Sequence, residues 1–501
     1  VSTIPDRLLK EKYLKYTLRN FPLANPIFFE NKTIKIMNFL NNAEKEIKSK
    51  IKFKGKIKFF NHHLCHVASS HFLSGNKSSC SVSIDGLGEI ESSTIYEVKN
   101  NKFKLLKRID YPDSLGMFYS ALTYYLGFRP NSSEGTMMAL ASFGNFNAKI
   151  PGKNITYYNA FKKIVKPSKD NIFRLNLEWF NFPYSRQGWV SDKFIKYFGK
   201  IRAPGSKISI HHKNISSAAQ KIFEDYYIKI LKYSYNLTKS NNLTLSGGCA
   251  LNCKANGLIF NQTNFKKVYI QPTAHDGGLS IGAAYLGYLE SLNHKSKKKK
   301  NYEYTHTYFG PSFSNNVIRK ILDKFSISYK YSNNYKIDCA KDLNNKKICG
   351  LFQGRMEFGP RALGNRSILS APYPVNKKKI INNKIKHRES FRPFAPSILK
   401  DLYNKYYQKN HDSPFMLIAT FLKLNDIRLK KDIIATLHND FSARVQTVSK
   451  NTNKDYYQII NEFYKLSGVP VVLNTSFNDK GEPIVCSPID ALKSFLKTNL
   501  D

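Results

Sequence analysis

Glycine turns that join a strand-like run to a helix-like run constrain the fold of this chain more than any other feature. They occur in SVSIDGLGE at residues 81–89, LSGGCALNCKANG at 245–257 and PTAHDGGLSIGAA at 272–284. Such a turn lets backbone amides approach a phosphate, and an aspartate beside it can hold a metal ion. Because strands and amphipathic helices alternate around these turns, the sequence predicts an α/β fold.

A lysine-rich stretch, SLNHKSKKKKNYEYTH, separates two parts of the chain. Five lysines lie between Lys295 and Lys300, a charge run that is typical of a solvated linker. We therefore predict a first domain over residues 1–290, a linker over 291–306 and a second, smaller α/β domain over 307–501. The 42% apolar content is enough for two hydrophobic cores.

The formal net charge of +43 would suit a nucleic acid or another polyanion as a partner. Lysine is spread thinly along the chain, however, together with much Asn, Ile, Tyr and Phe, which is typical of an AT-rich coding sequence. We expect no nucleic acid partner. The seven scattered cysteines predict a reducing, cytoplasmic location, and no apolar run has the length of a membrane span, so we expect no membrane association.

Four histidines lie close together in FNHHLCHVASSHFLSG, at residues 60–75. On a helix His62 and His66 project from the same face and can bind one metal ion, although ordinary surface or core histidines are the alternative. Asp85 follows at the end of a predicted strand and favours the metal interpretation. Two imidazoles and a carboxylate suit iron, manganese or zinc almost equally.

The predicted second domain concentrates basic residues around GRMEFGPRALGNRSIL, at residues 354–369. Other basic and amide side chains follow in the motifs IKHRESFRPFAPS, ARVQTV and LNTSFN, namely Lys386, Arg388, Arg392, Arg444, Asn474 and Asn478. Several guanidiniums in one pocket predict a small, highly charged anion as ligand, whereas any single arginine could form a surface ion pair. We expect Arg361 to bind the ligand and Arg355 and Arg366 to serve Glu357 or the fold.

At these motifs the chain resembles the O-carbamoyltransferases of the nodulation-protein and antibiotic-biosynthesis type. The resemblance runs from about residue 60 to the C-terminus, because NHHLCHVAS, SIDGLGE, GGCALN, HDGGLSIGAA, GPRALGNRSIL, FRPFAPS, ARVQ and VVLNTSFN follow the family's order. It implies an actin-like ATPase (ribonuclease H-like) N-terminal domain and a YrdC-like C-terminal domain. It also implies that carbamoyl phosphate and ATP form carbamoyl adenylate, whose carbamoyl group passes to a hydroxyl of a sugar or other small acceptor.

The resemblance also implies roles for individual residues. The metal ligands would be His62, His66 and Asp276. The nucleotide would be bound by Asp85, Gly86, Gly116, Gly247, Gly248 and Asn252. Carbamoyl phosphate and the ATP phosphates would be held by Arg361, Lys386, Arg392, Arg444 and Asn474. The expected cofactors are ATP and a divalent metal ion, Fe²⁺ by resemblance and Mg²⁺ as a second candidate, and we expect a homodimer.

The chain departs from the family pattern at three places. It starts at VSTIPDRLLKEKY without the hairpin whose His-Asp pair faces the acceptor, and it ends at DALKSFLKTNLD where a further strand is expected. We therefore expect a fragment, whose general base the sequence does not name. Thr136 and Ala139 also replace a lysine and a glycine of the family. Two other functions stay open: a tRNA threonylcarbamoyl transferase-like enzyme and an inactive ATP-binding relative.

Overall fold

The chain forms two compact units, Val1–Tyr304 and Thr305–Asp501. The structure, a computed structural model, describes residues 2–21, 23–24, 31–185, 188–292, 303–408, 411–423 and 427–501. Most of the predicted linker, from residue 293 to 302, lies outside the described residues.

A mixed five-stranded sheet forms the centre of the first unit. The strands of this unit are β1 (Ser78–Ile84), β2 (Glu91–Lys99), β3 (Lys102–Asp110), β4 (Val165–Ser168), β5 (Ile172–Leu175), β6 (Asn242–Ser246) and β7 (Lys267–Ile270). The sheet has the order β3-β2-β1-β6-β7, and β4 pairs with β5 in a separate two-stranded ribbon. The pairs β1–β2 and β2–β3 are antiparallel, whereas β6 is parallel to β1 and β7 is parallel to β6.

The direction of these strands determines where the glycine turns lie. Strands β1 and β6 are buried along almost their whole length, as is typical of strands that helices cover on both faces. Because β1, β6 and β7 run in the same direction, their carboxyl ends meet at one edge of the sheet. All three glycine turns predicted from the sequence therefore lie at that edge.

Helices surround this sheet. Within the described residues of the first unit, the helices are Pro5–Arg7, Leu8–Tyr16, which is π-helical, Thr17–Arg19, Asn31–Asn41, Ala43–Ile51, His62–Leu73, Leu115–Tyr125, Glu134–Ala141, Tyr157–Lys162, Asp192–Phe198, Ile210–Thr238, Cys253–Gln262 and Leu279–Ser291. Short 3-10 turns occupy Leu177–Trp179, Gly248–Leu251 and Asp276–Gly278. The histidine-bearing helix packs closely against helix Leu279–Ser291, since a Cβ on Gly282 would lie 1.9 Å from the carbonyl oxygen of Cys65.

The second unit has its own mixed sheet. Its strands are β8 (Ile348–Phe352), β9 (Arg366–Ser370), β10 (Ala395–Leu399), β11 (Ala419–Phe421), β12 (Ser442–Arg444), β13 (Gln446–Val448) and β14 (Val471–Ser476). The sheet order is β13-β10-β14-β9-β8, with β11 and β12 as a separate pair. Strands β10 and β13 are parallel and the other neighbours are antiparallel.

A large part of the core of the second unit lies between this sheet and the helices Tyr335–Asn344 and Lys454–Ser467. Its α-helices are Asn315–Lys324, Tyr335–Asn344, Lys377–Lys384, Tyr403–Tyr406, Ile427–Asp432, Lys454–Ser467 and Pro488–Lys497, and 3-10 turns occupy Lys400–Leu402 and Ile434–Thr436. Leu343, Ile460 and Phe463 are fully buried together with Val471 of β14. Asn453 caps the N-terminus of helix Lys454–Ser467 by accepting a hydrogen bond from the amide of Tyr456.

The α/β prediction is confirmed as a mixed α/β fold with parallel and antiparallel strand pairs in each unit. Within the described parts of the chain, the search for a helix with the length and apolar character of a membrane span finds none.

Candidate functional site

Two histidines and two aspartates meet at the edge of the first sheet where β1 and β7 end. The Nε2 atom of His66 lies 2.9 Å from Oδ2 of Asp85 and 3.6 Å from Oδ1 of Asp276. The Nε2 atom of His62 lies 3.4 Å and 3.6 Å from the same two oxygens. One donor atom from each residue therefore falls within 4.8 Å of the other three.

The histidines reach this edge because their helix begins there. Asn61 caps the helix by accepting a hydrogen bond from the amide of Leu64, and the rings of His62 and His66 lie one turn apart with centroids separated by 4.8 Å. Glu89 holds the same end of the helix: its carboxylate accepts from the side-chain amide of Asn61 at 2.7 Å and from the amide of His62 at 3.0 Å. The predicted i, i+4 arrangement is present.

The electrostatics of this group favour a bound cation. Burial opposes ionisation of Asp85, but the hydrogen bonds of His62 and His66 hold the pKa of its carboxyl well below the usual range. Burial would lower the pKa of His66, yet Asp276 and Asp85 raise it to about 9. Two imidazole nitrogens and two carboxylates are a donor set that divalent first-row metals bind. The side chain of Asp276 is 72% exposed, so the group is open to solvent on that side.

The other two histidines of the motif point elsewhere. His63 binds the carbonyl oxygen of Glu91 at 2.9 Å, and burial, with the neighbouring His62, lowers its pKa to about 3. His71 lies 2.7 Å from the hydroxyl of Ser79, and its burial lowers its pKa to about 4. Both rings are therefore neutral at physiological pH.

The glycines predicted for nucleotide binding gather around Asp85. Its Oδ1 atom accepts hydrogen bonds from the amides of Gly86 at 2.7 Å and Gly248 at 3.1 Å. Gly247 has φ +86°, and a Cβ there would lie 2.3 Å from the carbonyl oxygen of Ile84, so only glycine fits. A Cβ on Gly116 would lie 2.7 Å from the backbone of Gly86. The structure thus brings together all four glycines.

Asn252 also lies near this edge, but its side chain is engaged within the protein. Its Oδ1 atom caps the helix by accepting from the amide of Ala255, and its amide exchanges two hydrogen bonds of 3.1 Å with Gln220. Its predicted nucleotide contact stays a prediction.

The second unit places Arg361 on a loop that a buried carboxylate braces. The Oε1 atom of Glu357 accepts from the amides of Leu363 and Asn365 at 2.7 Å each, and from that of Arg366 at 3.3 Å. Arg366 is completely buried and donates to main-chain carbonyls, including that of Gln353 at 2.6 Å.

Two arginines of the motif GRMEFGPRALGNRSIL therefore support the fold. Arg355 donates to the carbonyl oxygens of Gly310 and Phe309, as Arg366 does to the carbonyls around its own loop. The expectation that these two arginines serve Glu357 or the fold agrees with these contacts.

Four basic side chains of the second unit form a cluster of like charges. Burial is the main reason why the pKa of Arg388 is lowered, and Arg392 and Arg444 lower it further. Burial, Arg388 and Arg392 lower the pKa of Lys386 to about 7. An anion that binds among these groups reduces the repulsion between their positive charges, and its binding is therefore favourable.

Lys386 and Arg392 have side-chain contacts within the second unit, and the backbone of Arg444 is held in a strand. The Nζ atom of Lys386 donates to the carbonyl of Ser476 at 3.0 Å and to Oδ1 of Asn478 at 2.5 Å. Arg444 ends β12, opposite Ala419 of β11, and Arg392 lies 3.9 Å from a carboxylate oxygen of Glu389.

Asn474 links the sheet to the loop of Arg361. Its side-chain amide is buried in β14 and donates to the carbonyl of Ala362 at 3.2 Å, to the hydroxyl of Ser397 and to Oε1 of Gln446, both at 3.1 Å. Gln446 in turn donates to the carbonyl of Leu363 at 2.9 Å. Asn474 therefore fixes the chain next to Arg361.

Sequence reasoning did not single out several of these supporting residues. Glu89 stands inside the SIDGLGE motif, so its position beside Asp85 was a usable signal. Ser397 and Gln446 also lie within the quoted motifs FRPFAPS and ARVQ. By contrast, the contacts of Glu357 with backbone amides have no sequence signal, since they depend on the path of the loop.

Comparison with known proteins agrees with the ordered motifs. The family models described as carbamoyltransferase N-terminus and carbamoyltransferase C-terminus match residues 5–285 and 340–501. An uncharacterized protein of Synechocystis sp. is 34% identical over 99% of this chain and 83% of its own length. Nodulation protein NolNO of Sinorhizobium fredii is 33% identical over 89% of this chain and 62% of its length.

One further relative matches at similar identity, whereas a solved structure matches only weakly. Nodulation protein NolO of Bradyrhizobium diazoefficiens is 32% identical over 88% of this chain and 77% of its own length. The crystal structure of HypF from T. kodakarensis aligns with a TM-score of 0.28 and 12% identity over 54% of this chain and 45% of that one, which is too low to support a conclusion about fold or function. The two family models and the relatives above 30% identity place this chain in the carbamoyltransferase family, and it is a transferase by that membership.

Proposed function

We propose that this chain is an ATP-dependent O-carbamoyltransferase that makes carbamoyl adenylate from carbamoyl phosphate and ATP. The observation that carries the proposal is the cluster of Lys386, Arg388, Arg392 and Arg444 in a carbamoyltransferase chain. Burial and the neighbouring cations lower the pKa of Lys386, Arg388 and Arg392. A small polyanion would relieve that repulsion, and carbamoyl phosphate and the ATP phosphates are anions of this kind. Arg361 and Asn474 complete the proposed site.

The proposed chemistry balances as two steps before transfer. Water releases phosphate from carbamoyl phosphate and leaves carbamate. A carbamate oxygen then forms a bond to the α-phosphorus of ATP while the bond to the β-phosphate oxygen breaks, which gives carbamoyl adenylate and pyrophosphate. Negative charge accumulates on the phosphate and pyrophosphate that leave, and guanidiniums already fixed by the fold stabilise it electrostatically.

The first unit is proposed to bind the adenylate and a divalent metal ion, Fe²⁺ by family resemblance. His62, His66 and Asp276, with Asp85 beside them, would hold the ion, and the glycine turns around Asp85 would lie against the nucleotide. A bound divalent ion would supply Lewis-acid stabilisation of phosphate oxygens. The antiparallel strands β1–β3, continued by the parallel strands β6 and β7, support the proposed actin-like, ribonuclease H-like assignment.

The transfer step is proposed for a hydroxyl of a sugar or another small molecule. The acceptor oxygen would bond to the carbamoyl carbon, lose its proton and displace AMP, which takes the electrons of the broken carbon–oxygen bond. This acceptor class rests on the family resemblance, as does the YrdC-like assignment of the second unit.

Release of pyrophosphate tests the proposal. Protein loaded with Fe²⁺ should release pyrophosphate from ATP only when carbamoyl phosphate is present, and a hydroxyl acceptor should increase the turnover. Release of pyrophosphate without carbamoyl phosphate would contradict the proposal. Absence of release under every metal and acceptor tested would contradict it as well. Binding to tRNA that persists at moderate salt would instead favour the threonylcarbamoyl transferase-like function.

A further inference from the structure

A fully buried asparagine, Asn382, is hydrogen-bonded to the segment that carries three of the four basic residues of the cluster. Asn382 belongs to the last turn of helix Lys377–Lys384 and has no exposed surface. The chain leaves this helix, adopts φ +43° at His387, and passes Lys386, Arg388 and Arg392 within seven residues. The path of this short segment decides which of the three cations can face a ligand.

The side chain of Asn382 binds this segment at three points. Its Oδ1 atom accepts a hydrogen bond from Nε of Arg388 at 2.8 Å. Its Nδ2 atom donates to the carbonyl oxygens of Arg392 at 2.9 Å and Ser390 at 3.3 Å. One amide therefore fixes both a guanidinium and the main chain at a second arginine, and it uses both of its donors and its acceptor to do so.

Arg388 itself folds back onto the segment instead of pointing away from it. Its guanidinium lies 4.8 Å from the ring centre of Phe394 and donates to the carbonyl of Pro393 at 3.5 Å. The nearby charged groups are Lys378, Lys386, Arg392, Arg444 and Glu389, so a buried guanidinium is held among four cations and one carboxylate. The hydrogen bond to Asn382, at 2.8 Å, is the shortest of the contacts that hold it there and offsets part of the cost of burying the charge.

We propose that Asn382 is a positioning residue that, together with Arg388, fixes the direction in which Arg392 is presented to the anionic ligand. This inference rests on the proposed function of the cationic cluster. Asn382 touches no ligand in this account, and its effect on the reaction passes through Arg388 and the backbone of Arg392. A side chain whose support is fixed binds its ligand without first having to be ordered.

The test compares Asn382→Asp with Asn376→Asp in the full chain. Asp at 382 keeps the acceptor for Arg388 but places a carboxylate oxygen against the two carbonyls that Asn382 now holds. Asn376 begins the same helix, is exposed and makes no capping hydrogen bond. Asn376→Asp therefore adds the same charge without changing the three hydrogen bonds of Asn382. Arg388→Lys is a second variant, which keeps the positive charge and removes the Nε contact.

We expect Asn382→Asp to raise the KM for carbamoyl phosphate at least tenfold, with kcat within about threefold of the unmodified protein, as loss of ligand binding requires. Calorimetry should show a similarly weakened affinity for inorganic pyrophosphate. Asn376→Asp should match the unmodified protein in both measurements. Arg388→Lys should change the same two quantities in the same direction, and it decides the matter if Asn382→Asp does not fold.

Unchanged KM and pyrophosphate affinity in folded Asn382→Asp or Arg388→Lys would overturn the inference, even if the unmodified protein turns over. If the unmodified protein binds pyrophosphate without making carbamoyl adenylate, and Asn382→Asp weakens that binding, the proposed function fails and the positioning role stands. A loss of kcat with unchanged KM would also contradict the inference.

Discussion

The Nε2 atom of His66 lies 2.9 Å from the Oδ2 atom of Asp85, and this contact joins the histidine-bearing helix to the end of strand β1. Asp85 is also the residue whose other oxygen accepts from the amide of Gly248. One carboxylate therefore connects the group of candidate metal ligands to the glycine turns proposed to bind the nucleotide. A change at this point should affect both.

Removal of His66 should remove the metal. We expect His66→Ala to bind Fe²⁺ with an affinity reduced by more than the 10- to 100-fold that loss of an outer-shell partner typically costs. Metal content measured by mass spectrometry after purification and dialysis checks this. His71→Gln is the control on the same helix, because His71 is neutral and contacts Ser79. Equal metal content in His66→Ala and His71→Gln would contradict the assignment.

Gly247→Ala should disrupt the nucleotide site, because the new Cβ would lie 2.3 Å from the carbonyl oxygen of Ile84. We expect at least a tenfold loss of affinity for a non-hydrolysable ATP analogue, measured by calorimetry. Gly152→Ala is the matched control: Gly152 has a similarly positive φ of +73°, but the space around its Cβ is open. If both variants bind the analogue equally well, the turn at Gly247 is not part of the nucleotide site.

Anion binding should be accompanied by proton uptake at Lys386. Its pKa in the folded protein is lowered to about 7 by burial, Arg388 and Arg392, and an anion beside it would raise that pKa. At pH 8 the free lysine is mostly neutral, so carbamoyl phosphate should bind with uptake of a proton and more weakly as the pH rises above 7. Calorimetry in buffers of different ionisation enthalpy measures this uptake, and Lys386→Met should abolish it.

The lowered pKa of Lys386 also determines how the free energy of unfolding changes with pH. The folded state binds fewer protons at Lys386 than the unfolded state between about pH 7 and the ordinary lysine pKa of 10.5. Its contribution to the free energy of unfolding should therefore rise with pH across that window and be constant below it. Urea unfolding at pH 7 and pH 9 should show that rise in the unmodified protein relative to Lys386→Met, and an opposite difference would contradict the lowered pKa.

Glu357→Ala should destabilise the loop that carries Arg361. It leaves the amides of Leu363 and Asn365 without their carboxylate acceptor in a buried region, at a cost of at least about 2 kcal/mol in the free energy of unfolding. Glu357→Gln keeps one oxygen acceptor and should cost less. Urea titration of both variants measures the difference, and two variants as stable as the unmodified protein would show that the loop does not depend on Glu357.

The sequence predicted the residues of the candidate site better than the hydrogen bonds that hold them in position. Hydrophobic periodicity and glycine turns predicted strands before each turn, and the structure has them as β1, β6 and β7. The shared edge where Asp85, Gly247 and Asp276 meet was not predicted, since it follows from the parallel order of these strands. The histidine pair followed from helical spacing. The hydrogen bonds of Asn382 and Glu357 could not be predicted, since they depend on the path of loops with no periodic pattern. Asn252 shows the same limit, because its partner Gln220 lies 32 residues away.

Exchange of labelled pyrophosphate into ATP isolates the formation of carbamoyl adenylate, because the exchange requires that this reaction is reversible and needs no acceptor. We predict that label enters ATP when carbamoyl phosphate and Fe²⁺ are present, and that Arg361→Ala abolishes the exchange while it retains the bound metal. Label that enters ATP equally well without carbamoyl phosphate, or no exchange by metal-loaded protein with both substrates, would show that the chain does not make carbamoyl adenylate.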